Sequence, residues 1–67
     1  MKQYPNLLRE IAKRNMTIQQ YADCIGVHRT SVSGWINGHR EISVSALINS
    51  AKLFNCSIDY LLGIKEQ

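Results

Sequence analysis

The feature that most restricts the fold is a very short connection, Gly26-Val27, between two segments with helical periodicity. Residues 18–25 carry apolar side chains at the i, i+3, i+4 and i+7 spacing of one helix face, and residues 28–37 repeat a helical spacing. So short a connection forces the two helices to cross at a steep angle. Gly26 is expected to end the helix of residues 18–25 in a left-handed conformation, which costs glycine nothing sterically.

Apolar spacing elsewhere predicts three more helices and no strand. The five helices are expected at about residues 5–14, 18–25, 28–37, 44–54 and 58–62. Thr17, Ser43 and Ser57 stand where N-caps belong, and Thr17 with Gln20 has the spacing of a capping box. Asn15 is a plausible left-handed residue after the first helix.

The apolar stripes indicate which side chains are buried. Trp35 lies on the inward side of the third helix. In the fourth helix the expected buried stripe consists of Val44, Leu47, Ile48, Ala51 and Phe54.

The charged residues Lys13, Arg14, Lys52 and Lys65 are expected to be solvated.

Composition excludes several classes of protein. The 67 residues suffice for one domain, and 45% hydrophobic with 19% charged residues is a globular balance. There is no apolar run long enough for a membrane span and no secretion signal, so we expect a cytoplasmic protein without a membrane partner.

Nothing in the sequence indicates an enzyme or a ligand site. The acidic residues are dispersed, and no nucleophile–base pair is evident. Cys24 and Cys56 form no Cys-x-x-Cys pair, and His28 and His39 have no partners at zinc-ligand spacing, so both thiols are expected to be buried or half-buried. We therefore expect no metal, no cofactor and no small-molecule ligand.

The outward face of the third helix is polar, short-chained and free of acidic residues. Its members are Arg29, Thr30, Ser33, Gly34 and Asn37. A solvated helix face usually mixes Glu with Lys, whereas a helix that enters a DNA major groove needs small donors and acceptors. Gly34 weakens a helix, so it indicates either close approach to DNA or tight packing within the protein.

Two stretches carry a family resemblance: TIQQYADCIGVHRTSVSGWINGHR and, after it, ISVSALINSAKLFNCSIDYLLG. They resemble the helix-turn-helix of the phage repressor and Cro-like (XRE-type) regulators and that family's fourth and fifth helices. The resemblance covers residues 6–63. It implies an all-α, five-helix lambda-repressor-like domain over residues 1–67, with the helix-turn-helix at about 17–37 and C-terminal helices at about 43–62.

The resemblance also implies a set of DNA contacts. Residues in base-reading positions are His28, Arg29, Thr30, Ser33 and Gly34, and residues in phosphate-binding positions are Thr17, Gln19, Asn37 and Arg40. Arg29 can pair with guanine and Thr30 can contact a thymine methyl. The sequence departs from the family pattern at His28, which often is a Ser or Thr cap, and at Ile42, which often is proline.

The C-terminal segment is rich in apolar residues for so short a helix. In the resembling family, positions matching Ile58 and Leu61 often form a two-fold contact, so Ile58, Leu61 and Ile64 are predicted to form a homodimer interface. The alternative is that they complete the core of the monomer. A dimer would place two recognition helices about 34 Å apart on a palindromic operator.

The resemblance implies sequence-specific binding of double-stranded DNA by a transcriptional regulator, a repressor of phage or bacterial type, that reads the major groove with helix 28–37. The alternative is a protein-interaction module with the same fold, such as an antitoxin or an anti-repressor partner. In that case the C-terminal helix is the critical surface, and Arg29→Ala leaves the function intact.

Overall fold

The computed structural model describes residues 4–64, which form five helices and no strand. Their bounds are α1 Pro5–Lys13, α2 Ile18–Ile25, α3 Arg29–Asn37, α4 Val44–Phe54 and α5 Ile58–Leu62. The all-α, five-helix prediction is confirmed, and each boundary lies within one residue of the expected one. None of the described helices is long and apolar enough to cross a membrane.

Short polar residues begin the helices as the sequence predicts. The hydroxyls of Thr17, Ser43 and Ser57 each accept a hydrogen bond from the backbone N–H three residues later. In the capping box of α2, the Gln20 amide oxygen also accepts from the Thr17 N–H at 2.8 Å. Asn15 takes the expected left-handed conformation, with φ 55°.

The core is built around α2, which packs against both α3 and α4, while α1 packs against α5. Tyr21 and Ala22 at the centre of α2 have no exposed surface, and Trp35 is 3% exposed, as expected of an inward residue. The Tyr21 ring stacks on Phe54 of α4 with the centroids 5.7 Å apart. Together with the packing of α3 on α2, this core supports the outer side of α3.

The predicted stripe of α4 is confirmed for Leu47, Ala51 and Phe54, which pack in or against the core, and is wrong for Val44 and Ile48. Val44 is 73% exposed and Ile48 is 39% exposed, whereas Ala46 and Ser50 face the interior. Ser50 can be buried because its hydroxyl donates to the Ala46 carbonyl at 2.7 Å and bonds to the Tyr21 hydroxyl. Apolar spacing carries no information about this buried hydrogen bond. The pattern therefore predicts Val44 and Ile48 on the buried face, where the structure has Ala46 and Ser50.

Arg14 is exposed, as expected of a solvated charge, but its guanidinium is also bonded within the protein. Its guanidinium donates to the Phe54 carbonyl at 3.0 Å and lies 4.7 Å from the Phe54 ring centroid. It also pairs with Glu10, which is only 4% exposed and accepts a 2.8 Å hydrogen bond from the Tyr60 hydroxyl. This Glu10 cluster, formed by Glu10, Arg14 and Tyr60, joins α1 to α5.

The surroundings of Glu10 set its protonation. Burial acts to raise the pKa of the carboxyl, but hydrogen bonds from Arg14, Tyr60 and Lys13 stabilise the anion and bring the pKa below its ordinary value. The carboxylate in turn raises the pKa of the Tyr60 hydroxyl, chiefly by accepting its hydrogen bond. Glu10 is therefore ionised near neutral pH.

The two cysteines differ in their exposure to solvent. Both thiols are free, but Cys24 is exposed, so the expectation of burial is wrong for it. Cys24 lies on the outer side of α2, away from the stripe of Tyr21, Ala22 and Ile25. Cys56 is half-buried as expected, and burial raises the pKa of its thiol.

Candidate nucleic-acid interface

The turn between α2 and α3 has the expected conformation. Gly26 ends α2 with φ 75°, in the left-handed region. The Val27 N–H then donates to the Ala22 carbonyl at 3.0 Å, which closes the turn. Ala22 is fully buried beside this turn, where only a small side chain permits the close packing of α2 and α3.

Helix α3 separates its side chains into two classes. Val32 and Trp35 are buried against the rest of the domain. Arg29, Thr30 and Ser33 are exposed on the other side, together with Asn37 in the last turn. Helix α3 contains no acidic residue, so this outer face is attractive to an anion.

The N-terminus of α3 is less completely capped than that of α2. His28 occupies the N-cap position with extended φ and ψ, but its side chain makes no capping hydrogen bond. Its carbonyl accepts from the Ser31 N–H at 3.0 Å, while the backbone N–H groups of Arg29 and Thr30 have no partner within residues 4–64. Unpaired N–H groups at this end of a helix favour a negatively charged ligand.

The predicted phosphate contacts Thr17 and Gln19 lie at the start of α2. The Thr17 hydroxyl accepts from the Gln20 N–H at 3.0 Å, and its own proton is left to donate. The Gln19 side-chain amide donates to the Asp23 carboxylate at 2.8 Å, which fixes the direction of the Gln19 side chain. Both residues are exposed.

A shallow, open groove of about 420 Å³ runs between α2 and α3 and brings several of the predicted residues together. It is lined by Gln19, Asp23, Gly26, Val27, His28, Arg29 and Thr30. The structure thus groups one predicted phosphate contact with three predicted base contacts. Thr17, Ser33, Gly34, Asn37 and Arg40 lie outside this groove.

Asp23 is the functional candidate that sequence reasoning missed. It lines the groove with Arg29, and its carboxylate accepts the Gln19 hydrogen bond. The signal was the i, i+4 spacing of Gln19 and Asp23, which pairs an amide with a carboxylate on one helix face. A carboxylate at this place repels phosphate but can accept a hydrogen bond from the amino group of cytosine.

Gly34 packs against the protein itself. A Cβ built on Gly34 would lie 3.0 Å from Cδ and 3.1 Å from Cγ of Arg40. Of the two explanations that the sequence left open for this glycine, tight packing within the protein is the one that the geometry supports. Arg40 itself is exposed, as is His39 beside it.

The loop after α3 is held at several points. The N–H groups of His39 and Arg40 donate to the Gly34 carbonyl at 2.9 and 3.1 Å. The Ile42 N–H donates to the Tyr4 hydroxyl at 3.1 Å. A proline at position 42, which is frequent in the resembling family, has no N–H and could not make this bond.

The three predicted dimer residues differ in exposure. Ile58 is 37% exposed and Ile64 is 72% exposed, but Leu61 is only 1% exposed within the single chain. Helix α5 is one and a half turns long and packs against α1 and α4, so Leu61 has to face the core. The assignment of Leu61 to a dimer surface is therefore wrong, and the alternative, a core role, holds for it.

Comparison with known proteins agrees with this architecture. A family model described as helix-turn-helix matches residues 7–61. The HTH-type transcriptional regulator AnsR of Bacillus subtilis is 36% identical over 55 residues, which are 82% of this chain and 47% of that protein. YobD of the same organism, also described as an HTH-type transcriptional regulator, is 30% identical over 64 residues, 94% of this chain and 57% of that protein.

Solved structures show the same fold. A transcriptional regulator from Listeria innocua superposes with a TM-score of 0.82 at 25% identity, covering 100% of this chain and 64% of that one. The P22 c2 repressor, solved in complex with a synthetic operator, gives a TM-score of 0.78 at 24% identity over 88% of this chain and 89% of that one. This second likeness shows the fold alone.

The chain spans about half the length of the curated relatives that it matches, 47% and 57%. The match nevertheless covers α2, the turn, α3 and both later helices, with the capping box and the Gly26 turn in place. The family expected from the sequence is confirmed: this chain belongs to the helix-turn-helix family, in its XRE/Cro-like group.

Proposed function

We propose that this chain is the DNA-binding domain of a transcriptional regulator of repressor type, and that α3 reads the major groove of double-stranded DNA. The observation that carries the proposal is the outer face of α3. Arg29, Thr30 and Ser33 are exposed there, no acidic residue accompanies them on the helix, and Arg29 has no ion-pair partner within residues 4–64. The transcriptional regulators AnsR and YobD share this family with the chain.

Base recognition is proposed for the residues at the start of α3. Arg29 offers a planar pair of donors that matches O6 and N7 of guanine, and Thr30 and Ser33 offer short polar contacts. His28 and Arg29 line the same groove as Asp23, so a guanine and a neighbouring cytosine can be read by opposite charges.

Phosphate binding is proposed for residues on both sides of α3. Thr17 and Gln19 stand at the N-terminus of α2, where unpaired N–H groups favour an anion. Asn37 and Arg40 stand at the other end of α3, so the pair Thr17 and Gln19 and the pair Asn37 and Arg40 would bracket the base-reading residues. The formal net charge of +3 favours association with DNA. Such contacts fix the position of the domain without reading sequence.

A homodimer on a palindromic operator is proposed from the exposed part of the C-terminal segment. Ile58 and Ile64 leave apolar surface uncovered, and two copies joined there would present two α3 helices to one face of DNA. Half-sites one helical turn apart are expected from such two-fold symmetry.

The experiment is selection from a pool of random duplex DNA, followed by sequencing, at two salt concentrations. We expect a palindrome with half-sites about one turn apart and an affinity that falls as salt rises. Arg29→Ala should abolish the enrichment of one base position, because it removes the pair of donors to guanine. Lys52→Ala is the matched control, since it removes the same charge from an exposed site on α4.

Two outcomes would contradict the proposal. The first is the absence of any enriched sequence, with only weak salt-dependent binding. The second is an equal loss of affinity for Arg29→Ala and Lys52→Ala, which would mean that net charge alone accounts for binding.

A further inference from the structure

The side chain of Arg40 lies so close above Gly34 that a Cβ at position 34 would require the arginine stem to shift by a few tenths of an ångström. Its Cδ and Cγ atoms lie 3.0 and 3.1 Å from the position of a Cβ on Gly34, and its own Cβ lies at 3.5 Å. Gly34 is in α3, one turn after Thr30 and next to Ser33. Arg40 comes from the loop that follows, so the outer face of α3 is completed by a side chain from outside the helix.

The backbone at Arg40 is fixed by the same glycine. The Gly34 carbonyl accepts from the N–H groups of both His39 and Arg40. Two residues further on, the Ile42 N–H is bonded to the Tyr4 hydroxyl at 3.1 Å. The Arg40 main chain is thus anchored before and after the residue, and the course of its side chain depends on the space above Gly34.

The guanidinium of Arg40 forms no ion pair with any residue that the structure describes. Both ion pairs found within residues 4–64 involve Glu10, so neither belongs to Arg40, which is exposed. An arginine that has no ion pair within residues 4–64 and whose main chain is held at several points is suited to an external anion, since less of its freedom is lost on binding.

We infer that Gly34 is a positioning residue for Arg40: by lacking a side chain, it lets the Arg40 stem lie across α3 and holds the guanidinium for a DNA phosphate. This inference rests on the proposed DNA binding and assigns Gly34 a role that base contact does not require. It differs from direct approach of DNA to Gly34, because here the glycine acts only through Arg40.

The test is a double-mutant cycle of Gly34→Ala and Arg40→Ala on a selected duplex and on a scrambled duplex. Arg40→Ala should weaken binding to both duplexes by the same factor and flatten the slope of log Kd against log salt by about 0.9, one phosphate contact. Gly34→Ala should weaken binding about two- to fivefold in the presence of Arg40, the effect of a displaced exposed charge. In the R40A background it should cause no further loss.

A loss from Gly34→Ala that persists in the R40A background would overturn the inference, because the glycine would then act on DNA directly. A loss from Arg40→Ala confined to one base position would overturn it as well, because Arg40 would be reading a base. If the wild-type chain binds neither duplex in a salt-dependent way, the proposed function itself fails.

Thermal unfolding without DNA tests the contact independently. Alanine is a better helix former than glycine, so Gly34→Ala should raise Tm by about 4–8 °C in the R40A background. In the presence of Arg40 the rise should be smaller, since the new methyl group has to displace the arginine stem. Asn49→Ala, at an exposed site on α4, should change Tm equally in both backgrounds, and equal rises for Gly34→Ala would overturn the inference.

Discussion

Polar side chains are buried and paired at the junction of α1 with α5, but they are exposed on the outer face of α3. At the junction, Glu10 is 4% exposed and bonds to Arg14, Lys13 and Tyr60. Within residues 4–64 every buried side-chain nitrogen and oxygen has a hydrogen-bond partner. On α3, by contrast, Arg29 is exposed and has no ion pair among the described residues.

This difference separates polar residues that hold the fold from polar residues left for a ligand. A buried, paired carboxylate stabilises the domain only while all its partners remain, because an unpaired buried charge is costly. An exposed arginine contributes little to stability. Substitutions of buried polar groups, at the junction and between α2 and α4, should therefore change stability, and those on the outer face of α3 should change DNA binding. Four experiments can test that division.

The largest expected effect is that of Glu10→Ala. It removes the common partner of Arg14 and Tyr60 and should cost about 2–3 kcal/mol, less than for a fully buried pair because part of Arg14 reaches solvent. A domain of this size has about 3–10 kcal/mol in total, so this loss is a large share of its stability. Urea denaturation measures the loss. Glu41→Ala, an exposed acid, should stay within about 0.5 kcal/mol, and a similar value for Glu10→Ala would contradict the role of the cluster.

The second effect is a loss of stability at alkaline pH. Burial raises the pKa of Tyr21 to about 12 from an ordinary value of 10. The folded state holds the proton more tightly than the unfolded state, so stability is intact below about pH 10 and is lost as pH rises toward 12.

The loss assigned to Tyr21 is on the order of 2 kcal/mol over this range. Tyr60 contributes in the same direction, because the pKa of its hydroxyl is also raised. Chemical denaturation between pH 9 and 12 is the measurement. Tyr21→Phe should show a shallower decline than the wild type, and identical slopes would argue against the assignment to Tyr21.

The third effect concerns the hydroxyl pair of Tyr21 and Ser50. Because the Ser50 proton goes to the Ala46 carbonyl, the Tyr21 hydroxyl has to be the donor in the bond that joins the two side chains. Ser50→Ala leaves that donor buried without a partner and should cost about 1–2 kcal/mol, whereas Tyr21→Phe leaves only an acceptor site unfilled and should cost about 1 kcal/mol.

A thermodynamic cycle of these two substitutions provides the check. Once either hydroxyl is removed, the other no longer has this hydrogen bond. The double variant should therefore lose less free energy of unfolding than the sum of the two single variants. Additive costs would mean that the two hydroxyls do not stabilise each other.

The smallest expected effect on stability is that of Arg29→Ala, within about 0.5 kcal/mol. Its effect on DNA should be large, about 1–3 kcal/mol of discrimination at one base pair. Denaturation and competition binding on the same preparations measure both quantities. If Arg29→Ala loses stability but keeps its DNA preference, Arg29 serves the fold and not the DNA, which contradicts the proposed difference between α3 and the α1–α5 junction.

The elements that were predictable from sequence are those fixed by local chemistry. Thr17, Ser43 and Ser57 cap their helices through bonds that span three residues, so the pattern of letters contains the whole interaction. Gly26 likewise acts through its own backbone conformation. For this reason the helix bounds and the turn between α2 and α3 were predicted within one residue.

The features that were not predictable depend on partners far apart in the chain. The Glu10–Tyr60 bond joins residues 50 positions apart, and the Tyr21–Ser50 bond joins residues 29 apart. The Tyr21–Ser50 bond allows Ser50 to face the interior, and a similar distant contact with Phe54 gives the exposed Arg14 a partner within the protein. Leu61 was placed on a dimer surface because positions matching it in the resembling family often form a two-fold contact, and a likeness of sequence does not show which neighbour covers a side chain in this chain.

The bond between the Ile42 N–H and the Tyr4 hydroxyl has a consequence for the motions of the domain. A backbone amide in a loop ordinarily exchanges its proton with solvent quickly, but this one is shielded whenever the Tyr4 hydroxyl accepts from it. Hydrogen exchange at Ile42 therefore reports whether the Tyr4 side chain is docked beside the loop that carries Arg40. Opening at Tyr4 would release that loop without unfolding any helix, and it would appear as faster exchange at this amide than at Ala46 or Tyr60.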